Sequence, residues 1–94
     1  MFIAVTKVKA PKEALDRMMM GFKHAAPAMK QFSGFLGLEL WRDEESLRAV
    51  SRWESREAME VYSNSDLFRA HHGSGSGAQG PGGQVEYFDA EVVI

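Results

Sequence analysis

The chain of 94 residues contains no cysteine, which excludes disulfides, thiolate catalysis, iron–sulfur clusters and cysteine-based zinc sites. Its 11 basic and 13 acidic residues give a net charge of −2 without any Lys/Arg block, so neither nucleic acid nor an anionic membrane is an expected partner. The apolar part of the opening MFIAVTKVK is too short for a signal peptide core or a membrane span. We therefore expect a soluble cytoplasmic protein.

Several catalytic motifs are also missing. The sequence contains no Ser–His–Asp set, no paired-carboxylate motif and no His-x-x-x-His spacing, so it gives no support to a hydrolase or a metalloprotease. A dinucleotide fingerprint is matched at Gly75, Gly77 and Gly80, but it follows His72 and runs into Pro81 instead of opening a helix. We interpret this match as accidental.

The length and the hydrophobic pattern predict one domain over residues 1–94 with the order strand, helix, strand, strand, helix, strand. This order is typical of the ferredoxin-like α+β fold, in which an antiparallel sheet carries both helices on one face. The predicted strands are residues 2–9, 35–42, 47–54 and 84–94. The predicted helices are residues 12–31, residues from 56 to about 63, and a short turn at 66–72.

Three local signals set the limits of these elements. Pro27 predicts a kink or an end of the first helix near Ala26, because proline lacks a backbone donor and clashes with the preceding turn. Ser55 is a good N-cap for the second helix. Residues 73–83, GSGSGAQGPGG, hold six of the nine glycines and predict a flexible loop.

The sheet face without helices is predicted to be strongly apolar. Alternation assigns to it, among charged residues, the side chains of Ile3, Val5, Phe35, Trp41, Val85, Tyr87 and Val93. Because so large an apolar surface is costly in water, we expect a homodimer in which two sheets pack together. The alternative is an amphipathic face left to solvent.

His72 is the strongest candidate for chemistry, since a neutral imidazole is both a common proximal ligand of haem iron and a general base near neutral pH. It has no orienting carboxylate nearby in sequence. The alternative is a helix-terminal histidine that interacts with free carbonyl groups. The adjacent His71 would point about 100° away on a helix, so the pair does not form a metal site.

Thr6 and three aromatic residues complete the set of candidates. Thr6 is the one polar residue on a strand face otherwise formed by Phe2, Ala4 and Val8, so its hydroxyl needs a local partner or a ligand. Tyr62 lies on a helix face predicted to point to the core, where aromatics pack or line a site. Phe22, on a similar face, and Phe68 are candidate cofactor contacts.

Three segments carry a resemblance to a known family. They are Ser33-Gly34-Phe35-Leu36-Gly37, the junction Trp53-Glu54-Ser55-x-Glu57-Ala58, and Ser65-Asp66-x-Phe68-Arg69-Ala70-x-His72. In these segments, and over nearly its whole length, the chain resembles the antibiotic biosynthesis monooxygenase (ABM) superfamily, and within it the haem-degrading monooxygenases. The resemblance implies a dimeric α/β barrel of ferredoxin-like subunits.

The resemblance also implies roles for three residues. Haem-degrading members have an Asn on the first strand, a Trp on the second helix and an iron-binding His ten residues later. His72 matches the ligand, whereas Thr6 stands in the Asn position and Tyr62 in the Trp position. Ala25 stands where some relatives have an Arg near the propionates. These departures affect ring cleavage more than haem binding.

Three functions therefore stay open. The first is a monooxygenase that binds haem through His72 and degrades it. The second is a cofactor-independent oxygenase of a quinol-like aromatic, which needs an apolar pocket, a base and groups that hold an oxyanion. The third is a non-catalytic dimer that binds a small hydrophobic or aromatic ligand.

Overall fold

A computed structural model of the protein describes residues 1–66 and 84–94. Their elements follow the predicted order. They are β1 (Phe2–Lys9), α1 (Lys12–Ala25), a 3-10 helix (Ala26–Gln31), β2 (Phe35–Arg42), β3 (Ser46–Trp53), α2 (Arg56–Ser63) and β4 (Gln84–Asp89). The predicted short helical turn at 66–72 and the glycine-rich loop at 73–83 lie almost wholly outside the described residues.

The four strands form one antiparallel sheet in the order β2-β3-β1-β4, with β1 and β3 in the centre. This is the arrangement of a ferredoxin-like α+β fold, and the fold prediction is confirmed. No helix among residues 1–66 and 84–94 is long and apolar enough to cross a membrane.

The predicted helix signals are confirmed. The α-helix α1 stops at Ala25 and continues as a 3-10 helix with Pro27 in its first turn, as expected for a residue that cannot donate a backbone hydrogen bond. Ser55 caps α2 by accepting a hydrogen bond from the backbone N–H of Ala58 at 3.2 Å.

The face of β1 that carries Phe2 and Ala4 lies under the helices. The buried cluster on this side consists of Phe2, Ala4, Met29, Trp53, Met59 and Tyr62. Trp53 is fully buried, stacks on Tyr62 with ring centroids 5.4 Å apart, and meets the ring of Phe35 edge-on at 5.2 Å. One indole therefore joins β2, β3 and α2.

A β-bulge corrects the predicted orientation of β2. The partners shift from Phe35 opposite Trp53 to Gly37 opposite Arg52, so Leu36 is an extra residue in the strand. Phe35 consequently packs under the helices, not on the open face as predicted. Trp41 lies opposite Arg48 and stays on the open face.

The orientation of β4 was also predicted wrongly. Val85 and Tyr87 lie opposite Thr6 and Ala4, so they face the helix side, and Tyr87 stacks on Phe2 at 5.7 Å. Phe88 lies opposite Ile3 on the open face. Apolar residues occupy both faces of this strand, so alternation alone does not fix which face is which. The strand ends at Asp89 instead of continuing to residue 94.

The second sheet face keeps an apolar centre. Ile3, Val5 and Val50 form a small buried cluster, with Met1 and Ala90 packed against it. At its margin Arg52 forms an ion pair with Glu39 at 3.2 Å.

Gly34 provides a test of how closely α2 packs against the turn that precedes β2. It has a φ of +85°, and a Cβ there would lie 2.7 Å from the Cβ of Ala58. We expect Gly34→Ala to lower the free energy of unfolding by about 1–3 kcal/mol, because it combines backbone strain with a steric clash. Urea denaturation followed by circular dichroism measures this loss.

Gly21 supplies the matched control for that substitution. It lies within α1, and a Cβ there would meet nothing within 4 Å. Gly21→Ala should raise the free energy of unfolding by up to about 1 kcal/mol through helix propensity. Equal effects of the two substitutions would contradict the close approach at Gly34.

Candidate functional site

Thr6 lies on the helix-facing side of the sheet, between two short or slender neighbours. Its cross-strand partners are Ala49 on β3 and Val85 on β4. Ala4, two residues earlier on the same face, is also short. Immediately around Thr6 the helix-facing side of the sheet therefore carries short side chains, of which Ala4 and Ala49 are buried, and the ring of Tyr87 lies opposite Ala4.

The hydroxyl of Thr6 is available to a ligand. None of the hydrogen bonds among the described residues uses it, and it is not one of their fully buried polar atoms. Thr6 itself is half-buried. A hydroxyl in this position can donate one hydrogen bond and accept two, so it suits a small polar group on an otherwise apolar molecule.

The β4 edge adds two apolar side chains to this surface. Val85 is 50% exposed and Tyr87 is 51% exposed, although both face the helix side of the sheet. Sequence reasoning missed both because it assigned them to the other face. The pairing of β4 with β1 would have shown which way Val85 and Tyr87 point. That register cannot be read from the sequence, because both faces of β4 carry apolar residues.

Tyr62 lies in the core. It is buried, stacked on Trp53 and in edge contact with Phe32 at 5.3 Å. Burial raises the pKa of Tyr62 to about 12. Its phenol therefore stays protonated at physiological pH, which disfavours it as a general base.

The remaining candidates are placed as follows. Phe22 is half-buried on α1, and the next residue, Lys23, is exposed. Phe68 and His72 lie outside the described residues. Among residues 1–66 and 84–94, no group of three His, Asp or Glu side chains could hold a metal ion.

The described residues suit the apolar side of a haem. A flat porphyrin needs an apolar surface, and the half-exposed Val85 and Tyr87 provide one, whereas Ala4 and Ala49 are buried beneath the helical layer. Iron ligation by the imidazole of His72 stays a prediction, because His72 lies outside the described residues.

Comparison with known proteins defines the class of this chain. Residues 1–74 match the family model of the antibiotic biosynthesis monooxygenases. The chain therefore belongs to the ABM family, as the resemblance predicted.

Two curated relatives reach about 30% identity. The heme-degrading monooxygenase of Listeria monocytogenes serotype 4b (strain F2365) is 32% identical in an 85-position alignment that covers 78% of this chain and 70% of that protein. The mycobilin-producing heme oxygenase of Mycobacterium tuberculosis (strain ATCC 25618 / H37Rv) is 30% identical in a 95-position alignment that covers 98% of this chain and 89% of that protein.

Solved structures agree with the fold. A putative antibiotic biosynthesis monooxygenase from Deinococcus radiodurans superposes with a TM-score of 0.81 at 16% identity, over 100% of this chain and 96% of that one. The heme-degrader MhuD from M. tuberculosis, solved with two hemes bound in its active site, gives a TM-score of 0.76 at 26% identity, over 100% and 99% of the two chains.

The raised pKa of Tyr62 predicts an alkaline loss of stability. The phenol ionises at about 10 in an unfolded chain and at about 12 in the native protein, so the unfolded state loses its proton first as the pH rises. The resulting stabilisation is complete below about pH 10 and disappears by about pH 12. We expect Tyr62→Phe to flatten this part of the stability profile, measured by urea denaturation.

Tyr87→Phe is the control for that prediction. It removes the more exposed of the chain's two tyrosines and should keep the alkaline decline. In this variant, ultraviolet titration reports Tyr62 alone and should give a midpoint of about 12. A midpoint near 10 while circular dichroism remains native would contradict the burial of this phenol.

Proposed function

We propose that the protein is a haem-binding monooxygenase that degrades its haem, with His72 as the iron ligand. The observation that supports this most is the available Thr6 hydroxyl beside the half-exposed Val85 and Tyr87. The two curated relatives at about 30% identity are named as heme-degrading enzymes. Together they favour a flat apolar ligand with one polar group to be held near Thr6.

The proposed roles follow from chemistry and from position. Haem, when bound, would supply the iron and the oxygen chemistry. The imidazole of His72 would hold the iron, and the Thr6 hydroxyl would donate a hydrogen bond to the bound ligand. Phe22 and Phe68 contribute apolar contact to the ring, whereas Tyr62 supports the site through its packing on Trp53.

A metal-free oxygenation of a quinol-like aromatic makes a different demand on these residues. It requires a base for a phenolic proton, and the raised pKa of Tyr62 leaves that role to His72. The same histidine is therefore essential to both reactions, and only the ligand distinguishes them.

Hemin titration of the purified protein tests the proposal. The wild type should give a saturable shift of the Soret band, and His72→Ala should weaken hemin binding on the order of tenfold or more through loss of the axial nitrogen. His71→Ala is the neighbouring control and His24→Ala, at an exposed position of α1, is the distant one. Both controls should bind hemin as the wild type does.

The outcomes separate the three functions. Adding a reductant in air should bleach the Soret band if the protein degrades haem, whereas a stable band identifies a haem carrier. Hemin binding that is unchanged in His72→Ala would refute ligation by this residue. If no saturable shift occurs, oxygen uptake with a panel of hydroquinones and no added metal distinguishes the quinol oxygenase from a non-catalytic binder.

We also propose that the protein acts as a homodimer through its open sheet face. This face has Ile3, Val5 and Val50 at its centre, and Trp41 and Phe88, each 48% exposed, project from it. Burying two half-exposed aromatics against a second copy removes a large apolar area from water. A two-fold axis would place the same patch on both subunits.

Sedimentation velocity tests the dimer. The wild type should sediment as a dimer, and Phe88→Glu should shift it to a monomer because the new carboxylate would be buried in the interface without a partner. Val61→Glu is the matched control, since Val61 is 65% exposed on α2 and away from the open face. A wild-type monomer, or a Phe88→Glu dimer, would contradict the proposed interface.

A further inference from the structure

A cavity lies at the β2 edge of the sheet, two strands away from the β1 strand that carries Thr6. It has a volume of about 590 Å³ and is bounded by residues 23–30 on one side and by the first half of β2 on the other. The strand order places β3 and β1 between β2 and β4. This cavity is therefore separate from the surface formed by Thr6, Val85 and Tyr87.

The β-bulge shapes the floor of this cavity. It leaves the extra residue Leu36 51% exposed at the edge of the sheet, beside Gly37, where a Cβ would meet nothing within 4 Å. Pro27 faces Leu36 and Leu38 across the cavity. The floor is therefore apolar and open, and such a surface favours an aliphatic or aromatic ligand body.

Two cations border this apolar floor. Lys23 and Lys30 line the cavity and are exposed, and neither forms an ion pair with any residue in 1–66 or 84–94. They stand seven positions apart, and Ala26 and Pro27 between them line the same cavity. Both ammonium groups can thus reach a ligand in the cavity.

The charge of the surrounding sequence agrees with an anionic ligand. No Asp or Glu occurs from residue 17 to residue 38, although the chain has 13 acidic residues and a net charge of −2. Glu54 lies near Gly34, and its backbone N–H donates to the Gly34 carbonyl at 2.8 Å, but Glu54 does not line the cavity. The positive charge at the cavity is therefore local and opposes that of the whole protein.

We propose that this cavity is a second binding site, which takes a free amphipathic carboxylate with an acyl chain of medium length. The alkyl chain lies on Leu36, Leu38 and Pro27, and the carboxylate is held by Lys23 and Lys30. Apolar burial supplies most of the affinity, and the lysines select an anion over a neutral molecule of the same shape.

Decanoate, kept below its micellar concentration, is the probe, and amide chemical shifts of the ¹⁵N-labelled protein are the readout. We expect saturable shifts at residues 26–30 and 35–38. The double variant Lys23→Glu/Lys30→Glu should bind decanoate about tenfold more weakly, and Leu36→Ser should also weaken it. Decanol, which lacks the carboxylate, should bind less tightly than decanoate.

The control is Lys9→Glu/Lys12→Glu, which makes the same change of charge at two exposed lysines away from the cavity. It should bind decanoate as the wild type does. Equal affinity in the Lys23/Lys30 variant, equal binding of decanol, or shifts confined to Thr6 and Val85 would each overturn the proposal. Binding to phosphatidylglycerol vesicles without binding of free decanoate would also overturn it, in favour of a membrane surface.

Discussion

The contact on which the rest of the structure depends is the burial of the Trp53 indole at the end of β3. Its ring stacks on Tyr62 of α2 and meets Phe35 of β2, while its N–H donates to the Ser51 hydroxyl at 3.0 Å. That hydroxyl in turn donates to the carbonyl of Ala4 at 3.4 Å. A single fully buried side chain therefore links three strands to a helix, with its polar atom satisfied, and fixes where α2 crosses the sheet.

The position of Trp53 also explains why the proposed ligand site lies towards β4. Large rings pack around the indole beneath α2, where Phe32, Phe35 and Tyr62 belong to the same cluster. Around Thr6 the same sheet face carries Ala49 and Val85, which fill less volume than those rings. Because protein interiors are close-packed, the surface around Thr6 leaves more room for a ligand than the region around the indole does.

Departures from regular geometry give this fold its individual features. The single extra residue at Leu36 turns Phe35 towards Trp53 and leaves Leu36 beside an open cavity on the edge strand. Pro27 converts the end of the first helix to 3-10 geometry and lies on the other wall of that cavity. The bulge at Leu36 thus adds Phe35 to the core, and Leu36 and Pro27 form two walls of the cavity that Lys23 and Lys30 border.

The sequence by itself determined the element order, the kink at Pro27, the Ser55 cap and the family, because these depend on local propensity and on segments read directly from the chain. It also placed Thr6 under the helices, since Thr6 alternates in β1 with Lys7 and Lys9 and shares its face with Ala4 and Val8. Only the tertiary structure decided that Phe35, Val85 and Tyr87 lie on the helix side. Both faces of β2 and β4 carry apolar residues, so alternation in the sequence does not show which face lies under the helices. The orientation of β2 depends on its bulge and that of β4 on its pairing with β1, and neither feature can be read from the hydrophobic pattern of the strand itself.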